Sequence, residues 1–64
     1  MEFIYVLISD YHEWEDLRVY TTKEEAITAS KNYPSMRVEV FKSSPKGFIP
    51  TYNFYVNGAL RGTS

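Results

Sequence analysis

Cysteine is absent from this chain of 64 residues, and histidine occurs only once, as His12. The chain therefore has neither disulfides nor thiolate zinc sites, and a single imidazole excludes a histidine-rich metal site. Folded monomers of this mass, 7.5 kDa, bury only about 60% of the surface of the unfolded chain. Domains of this size commonly add disulfides, a metal or oligomerisation to a small core. By elimination, self-association or docking on a partner is the expected source of additional stability.

Long apolar runs are absent as well. The longest, Phe3–Ile8, has six residues, whereas a helix that spans a bilayer needs about 20. No basic segment precedes this run and no small-residue cleavage site follows it, so it does not have the pattern of a signal peptide. Together with the lack of cysteine, this predicts an intracellular protein without a membrane partner.

The net charge is small, −1 at pH 7, which does not favour a general nucleic-acid-binding protein. The average conceals an uneven distribution. Residues 1–25 contain seven acidic and two basic side chains, a net charge of −5, whereas residues 26–64 contain one acidic and five basic side chains, a net charge of +4. The sequence therefore predicts a molecule with two oppositely charged regions.

Three segments in the first two thirds of the chain have the patterns of strands. Phe3–Ile8 is apolar at both odd and even positions, which is typical of a central strand covered on both sides. Residues 17–20 alternate in character and predict a second strand, antiparallel to the first. Residues 36–41 have aliphatic side chains at the even positions, which predicts a strand with one buried face.

The last third of the chain contains the clearest turn signals. Residues 43–47 are serine, proline, lysine and glycine, a composition that predicts a loop. Pro50 opens a predicted strand at residues 51–56, and Asn57-Gly58 follows it. Asn-Gly favours a two-residue hairpin, because a type I′ turn needs positive φ at both central positions. The predicted cross-strand pairs are Val56 with Ala59 and Phe54 with Arg61.

The single helix is predicted from its N-terminus. Thr22 is followed three residues later by Glu25, the spacing of a capping box. Proline disfavours helical backbone in the residue before it, so Tyr33-Pro34 ends the helix after about ten residues. Its modest apolar side consists of Ala26, Ile27, Ala29 and the alanine-like Ser30.

These elements predict one α+β domain spanning residues 1–64. Its fold is a small antiparallel sheet, β-β-α-β plus a C-terminal β-hairpin, with one helix packed on one face. One short helix covers only one of the two apolar faces of the first strand. The other face needs the C-terminal hairpin or a second chain, which predicts a homo-oligomer.

Neither an active site nor a metal site is expected. The segment 10–16 gathers carboxylates and the imidazole, but its spacing does not match the twelve-residue calcium-binding loop and it lacks the glycine of that loop. We read it as a solvated acidic loop. No nucleophile with an adjacent base is identifiable, and a domain of this size has little room for a closed substrate cleft. The expected protein is therefore non-enzymatic, with no cofactor, no metal and no small-molecule substrate.

Trp14, the only tryptophan, lies within this acidic loop. It has two interpretations: a lid that packs over the edge of the core, which the burial of large rings favours, or an exposed anchor for a partner. An acidic rim around a tryptophan suits a basic partner surface, including the basic half of a second copy. The residues predicted to bind a partner are Trp14, Tyr11, Glu13, Glu15, Tyr55 and Phe41.

Basic and aromatic residues are interleaved in the second half of the chain. Such side chains on a sheet can hold single-stranded nucleic acid through phosphate contacts and base stacking. The core needs many of these rings, however, and the acidic first half repels phosphate. The residues that would contact nucleic acid are Arg37, Lys42, Lys46, Tyr52 and Arg61.

Two stretches, residues 5–11 leading to 19–26 and residues 49–55 with Asn57-Gly58, resemble small uncharacterised α+β proteins of large DNA viruses and phages. In those proteins a strand pair, a helix start similar to Thr22-Lys23-Glu24-Glu25-Ala26 and a further strand recur. The resemblance implies a viral or phage origin, with a virion location as an alternative to the cytoplasm. It supplies no catalytic residue.

The expected function is a non-enzymatic protein–protein interaction domain that self-associates. Two alternatives stay open from the sequence. One is a structural virion component of the minor capsid type, and the other is a small domain that binds single-stranded nucleic acid.

Overall fold

Five antiparallel strands form one sheet in the order β2-β1-β3-β4-β5, and one helix packs on it, in the computed structural model, which describes residues 2–11 and 13–62. The elements are β1 (Phe3–Ile8), a 3₁₀ turn (Trp14–Asp16), β2 (Arg18–Tyr20), α1 (Lys23–Asn32), β3 (Arg37–Ser44), β4 (Gly47–Val56) and β5 (Ala59–Gly62). This confirms the predicted α+β class. β1 pairs on both sides, but the middle strand is β3, because the C-terminal hairpin joins the sheet beside β3 instead of packing over β1.

The predicted loop at residues 43–47 is wrong. Both serines continue β3, Gly47 begins β4, and the connection between the strands consists of Pro45 and Lys46 alone. The hydroxyl of Ser44 donates to the carbonyl of Gly47 (2.6 Å) and accepts from the amide of Lys46 (3.2 Å). Polar residues that indicate a loop by composition here form the hydrogen bonds of a tight turn.

Pro50 lies inside β4 rather than at its start, and the strand is irregular just after it. The register with β3 shifts between Glu39 and Phe41, and Tyr52 has a φ of 68°. Thr51 stabilises this bulge by donating its hydroxyl proton to the carbonyl of Val40 (2.9 Å). β5 pairs only with the last four residues of β4, so the proline occupies a stretch with one free edge, where it removes no second ladder bond.

The C-terminal hairpin forms as predicted. Asn57 and Gly58 have φ values of 48° and 84°, both in the left-handed region that a type I′ turn requires. The registered pairs include both predicted ones, Val56 with Ala59 and Phe54 with Arg61.

The helix begins after Thr22, whose side-chain oxygen accepts from the amide of Glu25 (3.2 Å). The carboxylate of Glu25 accepts from the hydroxyl of Thr22 (3.0 Å). The prediction of the cap is therefore confirmed, although the return bond differs from that of a standard capping box, in which the carboxylate accepts from the backbone N–H of the cap residue. The helix ends at Asn32, where the amide of Tyr33 still donates to Ala29 (3.0 Å).

The core is small and lies between α1 and one face of the sheet. Its buried apolar residues are Leu7, Val38, Val40 and Tyr55 from the strands and Ala26 and Ala29 from the helix. Tyr5 packs beside them, and burial raises the pKa of its hydroxyl. Two alanines on the buried side of the helix allow it to approach the sheet closely.

Ser30, predicted as an alanine-like core residue, also has a polar role. Its hydroxyl donates to the carbonyl of Ile27 and accepts from the amide of Gly58, both at 2.8 Å. The second bond joins the helix to the turn of the C-terminal hairpin across 28 residues of sequence. Ser30 is completely buried and Gly58 partly so, and this bond satisfies the hydroxyl and the amide where water has little access. Within the described part of the chain, no helix is long and apolar enough to cross a membrane.

Candidate protein interface

The two faces of the sheet differ in what lies on them. Side chains alternate along each strand, so the neighbours of the core residues point away from the helix. We call the surface opposite the helix the open face. Its apolar residues include Ile4, Val6 and Ile8 of β1, Val19 of β2, Phe41 of β3 and Phe54 of β4, and none of these is fully buried.

One row of side chains crosses the open face from edge to edge. Cross-strand pairing joins Val19 to Val6, Val6 to Glu39, Glu39 to Phe54 and Phe54 to Arg61. This row contributes one residue from each of the five strands. It therefore gives the open face a defined order, from β2 at one edge to β5 at the other.

Among residues 2–11 and 13–62, neither α1 nor a strand packs over the open face, and the 3₁₀ turn approaches it near the β2 edge. The helix lies on the other side, and the C-terminal hairpin extends the sheet. The chain exposes 4700 Å² to solvent, whereas the scaling for folded monomers gives roughly 4,200 Å² at this mass.

Trp14 lies on the 3₁₀ turn beside the open face, and this short turn is held by its own hydrogen bonds. The amide of Asp16 donates to the carbonyl of Glu13 (3.0 Å), and the amide of Glu13 donates to the carboxylate of Asp16 (3.3 Å). The guanidinium of Arg18 donates to the carbonyls of Glu15 (2.8 Å) and Leu17 (2.9 Å). The turn is thus closed without the indole.

The indole is accordingly not a lid. Trp14 is 85% exposed, so the interpretation that favoured packing over the core is wrong. The turn brings Trp14 to a wide cavity of about 500 Å³ instead. The residues that line it are Val6, Ile8, Glu13, Trp14, Leu17 and Phe41. Five of these six side chains are apolar, and the sixth, a carboxylate, gives the cavity an acidic component.

An ion-pair cluster occupies the middle of the open face. The guanidinium of Arg37 donates to Glu39 (2.5 Å) and to Asp10 (3.1 Å). The Glu39 side chain is 17% exposed, so much of this pair is shielded from water. The hydrogen bond to Glu39 raises the pKa of the Arg37 guanidinium. The cluster keeps the centre of an otherwise apolar surface polar, but its Arg37–Glu39 pair has no net charge.

The structure brings together only some of the residues predicted to bind a partner. Trp14, Glu13 and Phe41 line the same cavity on the open face. Tyr11 is 94% exposed but lines a different cavity, with Leu7 and other residues of the helix side. Tyr55 is only 6% exposed because it belongs to the core, so it is not available to a partner. Glu15 is exposed on the 3₁₀ turn.

The residues predicted to contact nucleic acid do not form one surface. Arg37 is engaged by two carboxylates. Lys42 pairs with Phe3 and shares its face, the helix side, whereas Arg61 belongs to the row on the open face. Lys46 lies in the β3–β4 turn and Tyr52 in the bulge of β4. A single strand of nucleic acid would have to contact both faces of the sheet to reach them all.

The carboxylates of the acidic loop are not arranged as a metal site. Among the residues that the structure describes, no group of three potential metal ligands comes together. Asp10 pairs with Arg37, and Asp16 accepts from the amide of Glu13. His12, which the sequence placed in this loop, lies outside the described residues.

Several residues of the open face were not identified as partner contacts from the sequence, namely Val6, Val19, Phe54 and the edge residue Arg61. A signal for them did exist. The Asn-Gly turn sets Phe54 opposite Arg61, and the alternation of side chains then places both on one face of the sheet. What was missing was the position of the hairpin beside β3.

Comparisons with known proteins add no family to this description. No protein-family model matches the chain, and none of the curated proteins or solved structures matches it either.

Proposed function

We propose that this protein is a non-enzymatic interaction domain that self-associates by packing its open face against the open face of a second copy. The observation that carries the proposal is the uncovered apolar face, with the exposed indole of Trp14 beside it. Burial of apolar surface is the main driving force of protein association. Trp14 lies at the edge of this surface, and tryptophan is among the residue types most enriched at binding hot spots.

The size of the core supports the same proposal. Among the described residues, only six apolar residues are buried within one copy, and the sequence contains no cysteine for a disulfide. Small domains with so little core commonly gain stability by oligomerisation. Two sheets that pack face to face lie about 10 Å apart, with interdigitating side chains between them. The β-branched and aromatic residues of the open face suit such a layer.

The lining of the Trp14 cavity supports a protein partner. The cavity is wide and open, and its apolar side chains outnumber its single carboxylate five to one. An apolar surface with a polar rim is the usual composition of an interface core. The indole provides a large contact area there with few rotatable bonds, so little conformational entropy is lost when it is buried.

The test is the mass of the native assembly. Sedimentation equilibrium from micromolar to millimolar concentration should show a reversible species of twice 7.5 kDa. Val19→Lys is a suitable variant because Val19 lies on the open face and is already 52% exposed, so the lysine disturbs no core. It should weaken association at least about ten-fold, equivalent to about 1.4 kcal/mol.

Leu60→Lys is the matched control. Leu60 is 60% exposed on an edge strand, as Val19 is, but it pairs with Tyr55 and belongs to the helix side. This variant should associate like the wild type. A wild-type chain that stays at 7.5 kDa throughout, or equal weakening by the two lysines, would contradict the proposal.

A further inference from the structure

The charges of the open face are separated between its two edges. At the β2 edge the 3₁₀ turn carries Glu13 and Glu15 beside Trp14. At the β5 edge the row that crosses the sheet ends in Arg61. Neither Glu13, Glu15 nor Arg61 forms an ion pair within the described ranges 2–11 and 13–62. Among the described residues, the open face thus has carboxylates without an ion-pair partner near its β2 edge and one guanidinium without such a partner at its β5 edge.

Two identical sheets can stack face to face about a two-fold axis in two simple ways. With the axis perpendicular to the strands, β2 lies over β2 and β5 over β5, so like charges meet. With the axis parallel to the strands and next to β3, the order of strands is reversed in the second copy. Each β2 edge then lies over a β5 edge, and unlike charges meet. Charge complementarity therefore selects the second arrangement.

We infer that the corner formed by Trp14 and Glu13 is a binding site for the Arg61 guanidinium of a second copy. The inference rests on the proposed self-association. In the selected arrangement Arg61 of one copy lies over Val19 of the other, and Phe54 lies over Val6, because the row reverses across the axis. The exposed indole and the carboxylate beside it are then within the reach of an arginine side chain.

The chemistry of the corner suits this ligand. A guanidinium stacks on the face of an indole through a cation–π interaction, and its planar donors pair with a carboxylate. Trp14 offers a free ring and Glu13 an acceptor on the same cavity. A dimer completes two such sites, since each copy contributes one acidic corner and one arginine. The site is incomplete in a single chain.

The middle of the sheet is compatible with the same axis. Glu39 of one copy faces Glu39 of the other, but each carboxylate already accepts from the guanidinium of Arg37 in its own chain (2.5 Å). Arg37 thus offsets the Glu39 charge nearest the axis, while Asp10, which also accepts from Arg37, leaves each cluster with one net negative charge. Such a half-buried polar cluster favours one register, because sliding the sheets leaves charged groups against apolar side chains.

A charge exchange tests the arrangement. Arg61→Glu and Glu13→Lys change exposed residues, and circular dichroism verifies that both variants fold. Alone, each variant places like charges at both corners of its homodimer and should associate at least ten-fold more weakly than the wild type. Mixed in equal amounts, the two variants place unlike charges at both corners, and the heterodimer should form with nearly the wild-type affinity.

The fluorescence of Trp14, the only tryptophan, provides a local readout beside sedimentation. It should shift to shorter wavelength on association of the wild type and of the mixture, but not with either variant alone. The wild-type dimer should also weaken as the salt concentration rises, because its corner contacts are between exposed charges.

Three outcomes would overturn the inference. If both variants dimerise like the wild type, the corner contact is wrong while the proposed function stands. If the wild type is monomeric at millimolar concentration, both fail. If a monomeric wild type binds an arginine-rich peptide with a shift in Trp14 fluorescence, the corner takes a different protein and the second copy is the wrong occupant.

Discussion

The two faces of the same sheet show how differently one strand can be used. In β1, Leu7 points to the helix and is 2% exposed, whereas its neighbour Ile8 points to the open face and is only half-buried. Both are large aliphatic residues, and the sequence does not distinguish them. The difference is made entirely by α1, which packs on one face and leaves the other without a cover.

The largest expected effect on the free energy of unfolding comes from replacing Leu7 and Ile8, one at a time, by alanine. Leu7→Ala leaves a cavity in the core and should lower the free energy of unfolding by about 2–5 kcal/mol at any protein concentration. Ile8→Ala should cost about 1 kcal/mol in dilute solution, because less buried surface is lost. Urea unfolding monitored by circular dichroism measures both values. Similar losses in dilute solution would mean that the two faces are equally covered.

Concentration separates the two substitutions further. Stability that depends on the open face should rise with protein concentration, because association stabilises only the folded state. The wild type should therefore gain stability between micromolar and millimolar concentration, and Ile8→Ala should gain less. A midpoint of unfolding that is independent of protein concentration would show that no association at the open face stabilises the fold.

A second prediction compares two exposed aromatic residues of the same loop. Trp14→Ala should weaken self-association by about 2 kcal/mol, the magnitude of an interface hot spot. Tyr11→Ala should leave it unchanged, since Tyr11 lines a cavity with Leu7 on the helix side. Sedimentation equilibrium measures both, and neither change should affect folding of the dilute chain by more than about 0.5 kcal/mol. If Trp14→Ala and Tyr11→Ala weaken association equally, the second copy does not bind specifically at the open face.

The last prediction concerns the polar contact on the helix side. Ser30→Ala leaves the partly buried amide of Gly58 without its acceptor and should cost about 1–2 kcal/mol of folding free energy. The control is Thr28→Ala, on the exposed side of the same helix. Amide hydrogen exchange at the β4–β5 turn should accelerate in the first variant only. Unchanged exchange at Gly58 would mean that the hydroxyl does not hold the turn.

Several features could be predicted because their signals are local. The cap at Thr22, the helix of about ten residues and the type I′ turn at Asn57-Gly58 each depend on a few neighbouring residues. The β3–β4 turn is local as well, but the composition of residues 43–47 did not predict its length. Ser44 supports the turn with its side chain, and composition alone does not separate a two-residue connection from a longer loop.

The candidate interface was only partly predictable. Two apolar faces on β1 indicated that something must cover the second one, and an aromatic residue in an acidic loop indicated a contact. The orientation of Trp14 depends on hydrogen bonds within the 3₁₀ turn, and the burial of Tyr55 depends on its pairing with Val38 in the middle of the sheet. Neither contact is encoded in a short pattern.

The sequence by itself determined the elements of this protein: which segments extend, where the helix begins, which turn closes the hairpin and how its charges divide between the two halves. The tertiary structure decided that the hairpin extends the sheet beside β3, and hence which apolar face has no cover and which charged groups lie at its edges. The physical reason is how far apart in the sequence the interacting residues lie. Capping, turn conformation and alternation are energies of residues close in the chain, whereas strand order is chosen by contacts between residues that are distant in sequence.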